Sequence, residues 1–376
     1  MGWDELYQEH LKTIFGVKTI DEFSDEEVES AFSVLLSVLP NEGKLYKYRS
    51  FETDKFKKYY DSLKNGYLWF PQADELNDDF DTVLRFNPVA EAENIRNCLV
   101  SNPQLCFKAI AKHSPDSVVI GYDERDHQSF REVVDCYDTD TGKMDRKKAL
   151  RLLSKKGITT QKALQYLEQV DVFVVNYIQN NQKALDRVVD NFVHLNFSFR
   201  QDSYIYAMTE TYESNPLWAF YANNNRGFCI EYDFYKACSL GVDKKKKLLT
   251  TCRVTYSDNV EEYSFVDILK FILTGKKDTK LLLRSNLEMF GQLTTKQYDW
   301  SFEKEWRIIL ANLKDKRIPI DLVSRIIIDE RALDTEEAKD LIDLCQKRKW
   351  AILIRKTQYI NVAHKYVPYE EWKRRR

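Results

Sequence analysis

Two carboxylates and a guanidinium stand at alternate positions in DWSFEKEWRIIL, residues 299–310: Glu303, Glu305 and Arg307. In an extended strand they share one face with Ser301. Phe302, Trp306, Ile308 and Leu310 take the other, where Lys304 is the polar intruder. Neighbours on one strand face lie ~6.5–7 Å apart, from a rise of ~3.3 Å per residue. That is too far to share a proton but near enough for one carboxylate to raise the pKa of the other. Arg307 would favour an ionised Glu305. The alternative is a solvated sheet face with a surface ion pair, worth only ~0–1 kcal/mol.

Three more stretches could do chemistry. In ADELNDDFD, residues 73–81, Asn77, Asp78, Asp79 and Asp81 could offer oxygen ligands to a hard cation. Asn and Asp side chains also bond their own backbone in ordinary turns, and with no calcium-loop spacing the turn reading is preferred. In ESNPLWAFYANNNRGFCIEYD, Trp218 and Tyr221 share a face if Pro216 starts a helical turn. Aromatics at that spacing are more often core than ligand platform. In LYKYRSF, Leu45, Lys47, Arg49 and Phe51 alternate with Tyr46 and Tyr48. Arg49 beside tyrosines is either a stacked structural arginine or a phosphate clamp.

The elements that must position these residues alternate in character. Residues 1–40 read as helices, with Ser24 and Glu27 in a capping-box pattern and a stop at Pro40. GKLYKYRSF is a short strand, TDKFKKYYDSLKNG a helix closed by Gly66, and YLWFPQADELNDDFD a strand running into a polar turn. From about 89 to 196 helical spacing persists almost throughout. Strands return at 203–212, 226–234 and 248–257, a helical stretch covers 261–297, and VSRIIIDE and AILIRKTQ are strands flanking a helix. The expectation is a mixed α+β fold with one discontinuous sheet. Its divisions are N-terminal helices 1–40, core 41–88, a helical insertion 89–200 and core again over 201–376.

Composition narrows the function. With 376 residues, 43% hydrophobic and 31% charged, the chain can bury a large core. Eleven glycines and eight prolines argue against an all-β design, and a net charge of −2 gives no global push toward nucleic acid. The basic runs DKKKKLL (243–249) and WKRRR read as solvated loops or tails. Seven cysteines without a C-x-x-C pair and five scattered histidines point to a reduced, cytoplasmic protein without a cysteine-based zinc site or a histidine-based catalytic machine. No apolar run approaches a membrane span, and the first residues do not read as a signal peptide.

Taken in order, LYKYRSF, LKNGYLWFPQADELNDDFD, NPLWAFYANNNRGFCIEYD and WSFEKEWRIIL resemble a bacterial family catalogued as domain of unknown function 2971. The resemblance spans residues 45–310, interrupted by the helical insert. Asp79 stands where the family usually has proline, and Pro71 is displaced from the usual S-x-P. The layout is also similar to that of ADP-ribosyltransferases, with EWRIIL and IPIDLVSRIII in the place of the strand that bears a catalytic glutamate.

These resemblances imply a cytoplasmic protein associated with phage or mobile-element conflict, acting on NAD by ADP-ribosyl transfer or hydrolysis. Glu305 would be the catalytic carboxylate, Glu303 an acceptor-orienting group, and Arg307 the residue that keeps Glu305 ionised. Arg49, Tyr48, Asn77, Asp78, Trp218 and Tyr221 would contact the dinucleotide, with Arg49 on the diphosphate and Trp218 or Tyr221 on the nicotinamide ring. No metal and no membrane are expected, and the acceptor, protein or nucleic acid, stays open. Two alternatives remain: a non-catalytic nucleotide- or protein-binding module, and a metal-dependent nuclease with Asp78, Asp81 and Glu303 around magnesium.

Overall fold

Strand pairing begins where β-branched and aromatic residues alternate or run together. The computed structural model describes residues 2–16, 18–76, 81–82, 87–113, 132–138, 141–259, 263–274, 279–358 and 363–374. Twelve strands occur among them: β1 Lys44–Arg49, β2 Leu68–Trp69, β3 Ser203–Thr209, β4 Phe228–Asp233, β5 Thr251–Arg253 and β6 Thr255–Tyr256. The rest are β7 Thr295–Lys296, β8 Glu305–Ala311, β9 Arg317–Ile318, β10 Val323–Asp329, β11 Ala351–Gln358 and β12 Ala363–Pro368. Eight of them form one mixed sheet in the order β12-β11-β10-β4-β1-β3-β8-β5, and β2 pairs with β9 and β6 with β7 separately. The fold is α+β, as expected.

Within the large sheet β10 and β11 are parallel and the other pairs antiparallel. The parallel pair needs a crossover, which the helix Glu336–Arg348 supplies. Thr335 caps its start, and Lys349 ends it in a left-handed conformation, φ 57°. The interior strand β10 is apolar on both faces along Ile326, Ile327 and Ile328.

The strand expected over 299–310 is shorter than its alternation suggests. Residues Tyr298–Glu303 form a 3-10 helix, and Lys304 turns the chain at φ 44°, ψ 53°. A left-handed residue cannot continue a ladder, so pairing with β3 begins at Glu305 opposite Thr209. The basic run at 243–249 is not a loop either. It lies in the helix Val242–Leu249, where buried Lys245 places Nζ 2.6 Å from Glu29.

The chain divides into two units. One comprises 1–83, 200–260 and 290–376 and holds all twelve strands of the described residues. The other comprises 84–199 and 261–289, so the helical unit recruits a segment beyond the expected 89–200 insertion. Its core includes Ile95, Leu99, Leu153, Leu185, Val188 and Leu269. Buried Glu91 fastens the added segment by accepting the Phe265 backbone N–H at 2.7 Å. Among the described residues no helix is long and apolar enough to cross a membrane.

Candidate functional site

Strand β8 presents Glu305 and Arg307 on one face because Trp306 and Ile308 are committed to the other, both nearly inaccessible. Trp306 also donates its indole N–H to Glu210 at 3.0 Å, which fixes the strand's rotation. Glu303 arrives differently, from the 3-10 helix before the strand. Thr209 Oγ1 donates to the Glu303 carbonyl at 2.6 Å, holding the turn against β3. The two glutamates meet on a residue the sequence did not flag. Lys296 Nζ, on β7, lies 2.7 Å from Glu303, 3.5 Å from Glu305 and 3.6 Å from Asp81.

Arg307 closes the other side. Its Nε is 2.8 Å from Glu305, its Nη2 2.7 Å from Asp81, and its Nη1 donates to the Leu293 carbonyl at 2.6 Å. The polar face is therefore not a solvated one. Arg307 is fully buried, and Asp81, Lys296, Glu303 and Glu305 are each at most 6% exposed. Three carboxylates confront two firm cations in a low-dielectric setting, where unpaired charge is costly.

That imbalance sends the glutamates in opposite directions. Burial, then Glu305 beside it, push the Glu303 carboxyl up, with Lys296 and the Tyr221 hydroxyl opposing. Burial would raise Glu305 as well, but Arg307 and Lys296 outweigh it and hold that carboxyl well below the usual range. Lys296 is driven up despite burial by the three carboxylates around it. Tyr221 donates its hydroxyl to Glu303 Oε1, and the Glu305 backbone N–H donates to Tyr256 Oη at 2.8 Å.

These groups end in a cavity of about 820 Å³. Glu303, Glu305, Lys296 and Asp81 line one part of it, and Lys47 and Arg49 of β1 another, with Tyr221 also at the wall. Arg49, Tyr221, Glu303 and Glu305 thus converge, although 256 positions separate the first from the last.

Other expected contacts do not converge. Trp218 is fully buried: its indole N–H donates to the Tyr212 carbonyl at 2.8 Å and its ring packs on Tyr48. It is a core residue, because the helix Asn215–Tyr221 turns its face to the sheet, and Tyr221 alone of the pair borders the cavity. Tyr48 borders the cavity too, yet its hydroxyl is spent on the Thr211 carbonyl at 3.0 Å. Arg307 is sealed beneath the cavity. Asn77 and Asp78 lie outside the described residues. Among the described residues no group of His, Cys, Asp and Glu is arranged to hold a metal. Where the nuclease alternative put magnesium, beside Asp81 and Glu303, the Lys296 ammonium sits.

One comparison bears on these residues. Residues 217–308 match the model of a family described as "Protein of unknown function (DUF2971)". No curated protein and no solved structure matches the chain. The matched segment contains Tyr221, Lys296, Glu303, Glu305 and Arg307, whereas Arg49 and Asp81 come from outside it. Sequence reasoning missed Lys296, on a two-residue strand with no periodic pattern. It also passed over Lys47, although Lys47 shares its alternation face with Arg49.

Proposed function

We propose that the cavity binds NAD and that Glu305 and Glu303 act on its nicotinamide–ribose bond, giving ADP-ribosyl transfer or NAD hydrolysis in a bacterial cytoplasm during phage or mobile-element conflict. One observation carries the reading: two carboxylates two residues apart, held on one lysine, are driven to opposite protonation tendencies at the wall of a cavity that Arg49 also lines. Environments that push paired carboxyl groups apart are how one site obtains an ionised stabiliser and an acid or base.

Loss of neutral nicotinamide breaks the C–N bond and leaves an oxocarbenium-like ribose. An ionised Glu305 is suited to stabilise that charge, and Arg307 and Lys296 keep it ionised. Water or an acceptor hydroxyl then attacks the anomeric carbon. Glu303, whose raised pKa favours proton exchange, takes the attacking group's proton. Tyr221 holds Glu303 in place.

A second reading is a nucleotide-binding module without turnover. It is favoured by the occupancy of Glu305: Oε1 accepts from Arg307 Nε, and Oε2 faces Arg307 Nη2 at 3.2 Å and Lys296 at 3.5 Å. Incubation with NAD labelled in its adenylate half, with and without cell lysate, separates the outcomes. Label in free ADP-ribose means hydrolysis, and label on a macromolecule means transfer. Intact NAD in both arms contradicts the proposal and leaves the binding module.

A further inference from the structure

The cavity has a second charged region, at β1 and the helix that follows it. Four basic residues line it, and the three without a carboxylate partner, Lys47, Arg49 and Lys58, each rest over an aromatic ring. Lys47 Nζ is 4.5 Å from the Tyr206 ring centre, the Arg49 guanidinium 4.3 Å from that of Tyr59, and Lys58 Nζ 4.1 Å from that of Trp69. A ring holds a cation through its quadrupole without supplying a formal negative charge. The rings therefore set these positions without forming an ion pair, and the carboxylates that act on Lys47, Glu303 and Glu305, do so from beyond direct contact.

The acids at this part of the wall pair elsewhere. Glu52 is engaged by Lys55 at 2.7 Å and Glu75 by Lys316 at 2.9 Å. Among the described residues no carboxylate lies within ion-pair distance of Lys47, Arg49 or Lys58. We infer that Lys47, Arg49 and Lys58 form an anion subsite that takes the diphosphate group of a nucleotide. The inference deepens the NAD reading and rests on it only for assigning the diphosphate to a nucleotide.

The local structure explains how the three meet. Period-two alternation puts Lys47 and Arg49 on one face of β1, ~6.5–7 Å apart. The helix Thr53–Asn65 then supplies Lys58 and its neighbour Tyr59, the ring under Arg49. Lys47 is further anchored by donating to the Ala207 carbonyl. The Arg49 backbone is pinned by Gly227, where a Cβ would come within 2.2 Å of the Arg49 carbonyl oxygen. Crowding shows in the proton affinities: burial and then Arg49 push Lys47 well below the usual lysine range, against the pull of Glu305 and Glu303. Burial also lowers Lys58, with Arg49 and Lys316 adding to it and Glu75 opposing. A bound anion would relieve that repulsion.

The chemistry favours a diphosphate. A lone carboxylate would answer one of three cations, whereas a diphosphate spreads its charge over two centres, one suited to the guanidinium fork and the other to point charges. A nucleic-acid backbone fits poorly, because Glu303, Glu305 and Asp81 line the same cavity.

Calorimetric titration of the full chain with inorganic pyrophosphate, and separately with ADP, tests the subsite. Saturable binding is expected, weakened at least about tenfold in Lys58→Gln and Arg49→Gln. Lys55→Gln, which removes an equal charge from the same wall but from a paired lysine, is expected to stay within about twofold. Lys58 is exposed on its helix, so its variant keeps the fold even if that of Arg49 does not. Absence of saturable binding of either probe, or equal losses in Lys55→Gln and Lys58→Gln, overturns the subsite. Pyrophosphate binding without any action on NAD sinks the glycosidic reading alone. Nicotinamide release with no effect of Lys58→Gln or Arg49→Gln on either probe sinks the subsite alone.

Discussion

Arg307 Nη2 lies 2.7 Å from Asp81 Oδ2, joining strand β8 to a turn 226 residues earlier in the chain. The bond turns what alternation alone would allow to be a surface guanidinium into the centre of a buried network. Removing Arg307 leaves Asp81 and Glu305 buried with Lys296 as their remaining cation. Arg307→Met is expected to destabilise the unit by about 3–5 kcal/mol. Arg307→Lys keeps the charge, loses the fork and should cost less. Urea unfolding monitored by circular dichroism reads both. A loss below about 1 kcal/mol for Arg307→Met would mean that the network contributes little.

Opposed carboxyl shifts give opposed pH dependences. Glu305 has a folded-state pKa below its ordinary value, so its stabilisation is complete above the unfolded value of about 4.3. It is lost as pH falls through the depressed value. Glu303 is raised, so between the ordinary and the raised value the folded state holds the extra proton, and stability falls as pH rises through that window. Melting temperatures from about pH 3 to pH 8 should show Glu303→Gln flattening the decline above about pH 4.3. Glu305→Gln should erase the gain on the acid side. The same pH profile for wild type and both variants would show that neither carboxyl is tuned.

How much of this site the sequence discloses depends on the range of the interaction. Alternation placed Glu305 and Arg307 on one face, and the apolar residues between them secured it. It also set Lys47 beside Arg49. Glu303 reaches the same place by a different route, since the left-handed Lys304 leaves no periodic trace. Lys296 and Asp81 are joined to the glutamates by contacts that no local pattern encodes. The helix over 242–249 was hidden because four consecutive lysines look solvated until Glu29 provides Lys245 with a partner. Strand β12 was passed over as well, because AHKYVP is short and ends in proline.

Gly227 is where the sequence element NNNRGF acts on the cavity. An added Cβ would sit 2.2 Å from the Arg49 carbonyl oxygen and 2.8 Å from Ala222 Cα, both backbone atoms that cannot swing away. Gly227→Ala is expected to cost about 1–3 kcal/mol through forced backbone movement. It should also displace Arg49, so pyrophosphate affinity falls in the fraction that remains folded. Thermal unfolding and titration together check it, and an unchanged melting temperature would show that β1 and the 222–227 turn are not in close contact.

The most direct test of the central claim is nicotinamide release from NAD by the wild-type chain and by Glu305→Gln, at matched folded fraction. The account predicts release by the wild type and a loss of at least about a hundredfold in the variant, the scale of removing a charge-stabilising group from a transition state. Equal rates in the two proteins, or no release by the wild type, would contradict it.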